Sequence, residues 1–109
     1  MKPIFHLLFI VALIFACQGT GIKQTKDIIV YGSDNCDHCV DFKAKLDSIG
    51  FEYDFRDVEF DQMMAHEMTY KVRRSGVNGG FSYPVIDVEG KILVAPELQE
   101  VLELMQDQG

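Results

Sequence analysis

The stretch Ile28–Cys39, which reads IIVYGSDNCDHC, joins a strand signal to two cysteines and decides the fold. Its first four residues are a continuous apolar run rich in β-branched side chains, which is typical of a strand buried on both faces. Gly32–Asn35 has the composition of a turn. The two cysteines are therefore expected where a first strand gives way to a first helix.

The chain after the cysteines shows a helical pattern and then a strand pattern. Val40, Leu46 and Ile49 predict one apolar helix face, with Phe42 beside it, and Gly50 is a stop signal. Apolar and charged residues then alternate with period two, which predicts a strand that contains Phe51, Tyr53 and Phe55. A strand, a helix and a second strand in this order favour parallel pairing through a right-handed crossover.

A second helix is predicted from Asp61, which can cap it, to about Arg74. Met64, Met68 and Val72 follow one another at a spacing of four and form one apolar stripe. Methionine commonly fills gaps in protein cores, so we expect this stripe to pack in the core rather than to bind a metal.

The last third of the chain predicts a hairpin and a helix. Val85–Val88 and Lys91–Val94 are predicted strands, and Glu89-Gly90 between them is a tight-turn signal. Pro96 is predicted to open the last helix, at a position where proline is tolerated. The element order β-α-β-α-β-β-α predicts an α/β protein with a four-stranded mixed sheet, the minimal form of the thioredoxin fold.

Length and charge limit the organisation and the partners of the chain. Its 109 residues are enough for one domain, and the 48% hydrophobic and 25% charged composition is that of a globular protein. The net charge of −7 repels backbone phosphates, so nucleic acid is excluded as an expected partner. We expect a monomer.

The first sixteen residues have the pattern of a secretory signal peptide. Ile4–Ala16 is almost wholly apolar and is shorter than the roughly 20 residues that a membrane-spanning helix needs. Ile14 and Ala16 stand before Cys17 as in a bacterial lipobox, which implies cleavage before Cys17 and its lipidation, although Phe15 is larger than usual. An ordinary cleaved signal or an uncleaved anchor, with an incidental cysteine, is the alternative.

These signals predict three segments and an extracytoplasmic location. Residues 1–16 are the predicted signal peptide, residues 17–26 a polar tether, and residues 27–109 the folded domain. The domain is expected in the bacterial cell envelope, attached to the membrane through a lipid on Cys17. Disulfides form and persist in that compartment.

The spacing and placement of Cys36 and Cys39 point to disulfide exchange. A thiol at a helix N-terminus faces unpaired N–H groups and the positive end of the helix dipole, which stabilise its thiolate. The second thiol, one helical turn further on, can attack a mixed disulfide and release the partner. Cys36 is therefore the candidate nucleophile and Cys39 the candidate resolving thiol.

Several motifs of the chain between Asp27 and Met105 resemble the glutaredoxins, a family of the thioredoxin superfamily. The matching pieces are Cys36-x-x-Cys39 after the first strand, Tyr83-Pro84-Val85 opening the third strand, and Asp87-x-x-Gly90-Lys91 in the hairpin. The resemblance implies a redox-active dithiol that serves electron transport without a cofactor. It also implies that Pro84 is a cis proline beside the dithiol.

Departures from the family pattern concern glutathione. A basic residue often precedes the first cysteine in glutaredoxins, whereas this chain has Asp34 and Asn35 there. Ala95-Pro96 stands where paired glycines are common, so glutathione use is in doubt. His38 resembles the residue before the second cysteine of disulfide isomerases and periplasmic oxidases, and a cationic imidazole there would favour the thiolate. Nearby carboxylates act in the opposite direction.

Two other functions of the cysteine pair remain open at this point. The thiols could form an inert bridge, or could bind a soft metal such as copper(I) or zinc as a carrier module. Zinc usually needs four ligands, and only His38, His66 and acidic residues remain to supply the rest. Arg73 and Arg74 are interpreted as solvated helix-end charges. We expect a disulfide oxidoreductase that acts on protein or small-molecule disulfides and depends on a separate redox partner.

Overall fold

A computed structural model describes residues 21–106 of the chain. The predicted signal peptide and Cys17 lie outside the described residues. The elements, in chain order, are β1 Ile28–Gly32, α1 Asp37–Ser48, β2 Asp54–Asp57, α2 Gln62–Arg74, β3 Val85–Val88, β4 Lys91–Val94 and α3 Leu98–Gln106. Within residues 21–106, no helix is both long and apolar enough to cross a membrane.

The four strands form one mixed sheet in the order β2-β1-β3-β4. β1 pairs with β2 in parallel, with Gly32 opposite Asp57, and with β3 in antiparallel. β3 and β4 form the predicted hairpin, with Val88 opposite Lys91. This arrangement confirms the predicted α/β fold and places β1, which leads to the cysteines, inside the sheet.

Each face of the sheet has its own buried cluster. Nine buried residues, from Ile28 to Met105, fill the face that α1 and α3 cover. Tyr31, Val85, Met68 and Val72 belong to a second cluster under α2. The predicted methionine stripe of α2 therefore packs in the core, and Asp61 caps this helix by accepting from the backbone N–H groups of residues 63 and 64.

The predicted apolar face of α1 is wrong in part. Val40 is 45% exposed and Ile49 is 42% exposed, whereas Cys39, Phe42 and Leu46 are buried. Successive residues of a helix differ by about 100° around its axis, so a buried Cys39 turns Val40 toward solvent. The cysteine itself sets the buried face, which the apolar pattern alone did not indicate.

Two predicted element boundaries also shift. The last helix begins at Leu98, because the Glu97 backbone N–H donates to the Glu100 carboxylate at 2.8 Å and closes the helix start. Pro96 is buried just before this start and does not open the helix. Gly32 is the last residue of β1 rather than part of the turn.

A polar network lies between the sheet and α2. Lys71 Nζ donates to Tyr31 Oη and to Asp87 Oδ2, both at 2.6 Å. Tyr31 and Arg56 both donate to the Glu67 carboxylate. Burial, and next the hydrogen bond to Glu67, raise the pKa of Tyr31. The network joins β1, β2 and β3 to one helix through charged groups that are all partnered.

The segment that precedes β1 is bonded to the end of the domain where α3 finishes. Thr25 Oγ1 donates to the Met105 carbonyl at 2.8 Å, and Lys26 Nζ donates to the Leu104 carbonyl at 2.7 Å. The Gln24 side chain donates to the Glu52 carbonyl and accepts from the Glu52 N–H, each at 2.8 Å. The described part of the predicted tether therefore contacts the folded domain.

Candidate active site

The site begins with Cys36, which caps the N-terminus of α1. Its backbone is extended, and its sulfur accepts from the Cys39 backbone N–H at 3.4 Å. The Cys36 N–H donates to the Ser33 carbonyl at 3.2 Å, which closes the turn after β1. Cys36 is partly exposed, and both cysteines are free thiols. The Cys36 sulfur therefore sits among the unpaired N–H groups of the first helical turn.

Cys39 is in a different environment, although it is only three residues further on. Its residue exposure is 0%, and it packs against the end of β1 at Gly32. Burial, and next the hydrogen bond with Cys36, raise the pKa of the Cys39 thiol to about 12. The two thiols are thus unequal: one is accessible at a helix end, and the other is buried as a neutral thiol.

Lys43 is a cation whose charge acts on the buried Cys39 thiol. Its Nζ lies 2.5 Å from Asp34 Oδ1 and 3.6 Å from the centre of the Phe55 ring. Its positive charge acts against the burial of Cys39 and lowers the pKa of that thiol somewhat. The charge of Asp34 is therefore balanced by Lys43, so Asp34 repels an incoming anion less than its sequence position implies.

Glu59, in the loop after β2, holds the turn before Cys36. Its carboxylate accepts from the Ser33 hydroxyl and from Asn35 Nδ2, the latter at 2.9 Å. The Ser33 oxygen in turn accepts from the Asn35 N–H at 3.0 Å. The Glu59 N–H is itself held by Asp57 Oδ1 at 2.7 Å. These linked hydrogen bonds hold the turn of the chain that leads into Cys36.

His38 and Pro84 both line one groove of about 480 Å³, which Tyr83 and Pro96 also line. The Tyr83–Pro84 peptide bond is cis. The Pro84 carbonyl accepts from the Ala95 N–H at 2.8 Å, so that N–H is already occupied. His38 is exposed in the first turn of α1. The groove adjoins the dithiol through His38, which lies between Cys36 and Cys39 in the chain.

The other residues singled out in the sequence are not part of this site. His66 is exposed on α2. Arg73 Nη1 donates to the Val77 and Gly79 carbonyls at 3.1 and 2.7 Å, so it orders the glycine-rich loop instead of remaining a solvated charge. Among residues 21–106, no group of three or more His, Cys, Asp and Glu side chains could hold a metal ion.

Sequence reasoning missed four residues of the site: Gly32, Ser33, Lys43 and Glu59. Lys43 could have been found, because a residue four positions after Cys39 lies on the same helix face. Glu59 gave no local signal, since its contact with the turn depends on the register of β2 against β1.

Comparison with known proteins gives one family match and two structural likenesses. A family model described as glutaredoxin matches residues 28–94. A mutant thioredoxin-like protein has a TM-score of 0.60 at 20% identity, over 74% of this chain and 100% of that one. The glutaredoxin of Archaeoglobus fulgidus has a TM-score of 0.59 at 18% identity, over 76% and 89%. No curated protein sequence matches significantly.

Proposed function

Because the chain belongs to the glutaredoxin family, we propose that it is a thiol–disulfide oxidoreductase with Cys36 as nucleophile and Cys39 as resolving thiol. The observation that supports these roles is the unequal burial of the two sulfurs. Cys36 is partly exposed at the start of α1, whereas Cys39 is 0% exposed. A substrate disulfide can reach the first sulfur and not the second.

The proposed reaction has two exchange steps. The Cys36 thiolate attacks one sulfur of a substrate disulfide, a mixed disulfide forms, and the other substrate sulfur leaves as a thiolate that takes up a proton. Cys39 then loses its proton and attacks Cys36, which releases the second substrate thiol. The substrate gains two electrons, and the Cys36–Cys39 pair is oxidised to a disulfide. The reverse sequence oxidises a dithiol substrate.

The structure around the dithiol supports each step. Cys39 must lose its proton although its pKa is raised to about 12, and the positive charge of Lys43 favours the thiolate that forms. We assign the groove that His38 and Pro84 line to the backbone of the substrate. The proposal includes no cofactor, so a separate thiol or disulfide partner must return Cys36 and Cys39 to the starting state.

A trapping experiment tests the roles of the two thiols. Cys39→Ser should accumulate a mixed disulfide with a substrate protein, because attack still occurs and resolution does not. Cys36→Ser should trap nothing, and the double variant is the blank for nonspecific thiol capture. Equal trapping by the two single variants would show that the assigned roles are wrong.

The proposed substrates are protein or small-molecule disulfides outside the cytoplasm, with the protein attached to the membrane through Cys17. Incorporation of a labelled fatty acid into the full chain tests the attachment. Cys17→Ser should lose the label and move from the membrane fraction to the soluble fraction. A label that survives this substitution, or a wild-type protein found in the soluble fraction, would contradict the anchor.

A further inference from the structure

Two apolar side chains where the loop after β2 leads into α2 are largely in solvent. Phe60 is 78% exposed and Met63 is 74% exposed, the highest values among large apolar side chains of the described residues. They are three positions apart, at the end of the loop and in the first turn of α2. We refer to Phe60 and Met63 as the apolar patch. Exposed apolar side chains grouped in this way commonly mark a contact surface.

The loop that carries Phe60 is bonded to the turn that precedes the dithiol. Glu59, the residue before Phe60, accepts hydrogen bonds from Ser33 and Asn35. Asn35 directly precedes Cys36. A polypeptide whose disulfide reaches the Cys36 sulfur can therefore extend over this loop.

The charges around the apolar patch are negative and mostly unbalanced. Lys43 balances Asp34, and Lys45 balances Asp41. Four other carboxylates form no ion pair with any cation of residues 21–106: Asp37 in the first turn of α1, and Asp57, Glu59 and Asp61 in the segment around Phe60. Asp57 accepts from the Phe60 N–H and Asp61 from the Met63 N–H, so both adjoin the apolar patch.

From this combination we propose that the apolar patch and its four carboxylates dock a cationic segment of a substrate protein. Such a segment carries Lys or Arg beside its disulfide, with an apolar side chain to cover Phe60 and Met63. Complementary charge selects this occupant over the alternatives. Glutathione, nucleic acid and anionic lipid surfaces are negative, and a second copy of this chain would present the same carboxylates. This inference rests on the proposed oxidoreductase function.

Two peptides with the same intramolecular disulfide and the same apolar residue test the charge preference. One carries Lys and the other Glu at the positions that flank the disulfide. At low salt we expect kcat/KM for the Lys peptide to be about tenfold higher, since complementary charge speeds association. At about 1 M salt, where the Debye length is only about 3 Å, the preference should disappear.

Paired variants test the apolar patch. Phe60→Ser combined with Met63→Ser should raise KM for the Lys peptide, and so lower its kcat/KM relative to that for a small uncharged disulfide. Tyr70→Ser is the matched control, because Tyr70 is 63% exposed on the same helix and outside this surface. It should leave that ratio unchanged.

The outcomes separate this inference from the function on which it rests. Equal rates with the two peptides at low salt, while the small uncharged disulfide is still reduced, overturn the docking surface and leave the oxidoreductase intact. The same conclusion follows if the double variant keeps the wild-type ratio. Absence of turnover with every disulfide overturns both proposals.

Discussion

A β-carbon added to Gly32 would lie 2.6 Å from the sulfur of Cys39 and 3.1 Å from its β-carbon. Real β-carbons essentially never come within 3.0 Å of another heavy atom, so a side chain at the end of β1 would force Cys39 to shift. The buried position of Cys39 and its neutral thiol both depend on this close packing. The absence of a β-carbon at Gly32, the last residue of β1, therefore leaves room for the buried sulfur of Cys39.

Gly32→Ala should displace Cys39 and disturb the site. We expect a loss of about 1–3 kcal/mol in the free energy of unfolding, as for other overpacked cores, and slower closure of the Cys36–Cys39 disulfide. Denaturant unfolding and the rate of dithiol oxidation measure the two effects. Gly80→Ala is the control, since its added carbon meets nothing within 4 Å and its backbone is not in the left-handed region. Equal stability of the two variants would contradict the prediction.

Alkylation should distinguish the two thiols of the reduced protein. With iodoacetamide near pH 8, we expect Cys36 to be modified first and Cys39 to resist, because Cys39 is buried and its pKa is raised to about 12. Mass spectrometry of the modified peptides measures both rates. In denaturant the difference should vanish. Comparable rates in the folded protein would mean that Cys39 is more accessible than its packing implies.

The protein should reduce or oxidise protein disulfides better than it removes glutathione from a small mixed disulfide. Glutathione is a net anion, and Asp37 at the helix start is not balanced by any cation of the described chain. Pro96 has no N–H to donate, and the Ala95 N–H is bonded to Pro84. The ratio of kcat/KM for the two substrates decides the question. Faster turnover of the glutathione substrate would show that Lys43 or the groove outweighs these features.

Acid should remove the stabilisation that comes from Glu67. The hydrogen bond from Tyr31, and then the Arg56 guanidinium, lower the pKa of this carboxyl, so its contribution is complete above the unfolded value of about 4.3. It is lost as the pH falls through the lower pKa of the folded state. Glu67→Gln should cost about 1–2 kcal/mol at pH 7, allowing for partial exposure.

The cost of Glu67→Gln should shrink below about pH 4, where the wild-type carboxyl is also becoming neutral. Denaturant unfolding of both proteins at a series of pH values measures it. Glu103→Gln, an exposed position on α3 without an ion pair in the described chain, should show little effect at any pH. A difference for Glu67→Gln that stays constant with pH would mean that the charge of Glu67 is not what stabilises the fold.

The fold was predictable because its signals are local. The hairpin of Val85–Val88 and Lys91–Val94 has the predicted bounds, since Glu89 and Gly90 both adopt the positive φ that a tight turn requires. The position of the dithiol between a strand and a helix was predictable, because the pattern of apolar residues changes from a continuous run to a helical spacing after β1. The contact of Glu59 with Ser33 was not predictable, because it exists only once two strands far apart in the chain have paired in register.

The direction of the N-terminal segment determines which way the site would face. Thr25 and Lys26 are bonded to the Met105 end of α3, whereas Cys36 lies past the other end of β1. Four peptide units join Cys17 to Gly21 and span at most about 14 Å. Under the proposed lipidation, the Met105 end would rest near the bilayer. The dithiol would then point into the aqueous compartment, about one α1 length of roughly 18 Å further out. Disulfides at the membrane surface would lie at the end of the domain opposite the dithiol. Under this arrangement, the substrates would be dissolved proteins or domains that extend well beyond the lipid headgroups.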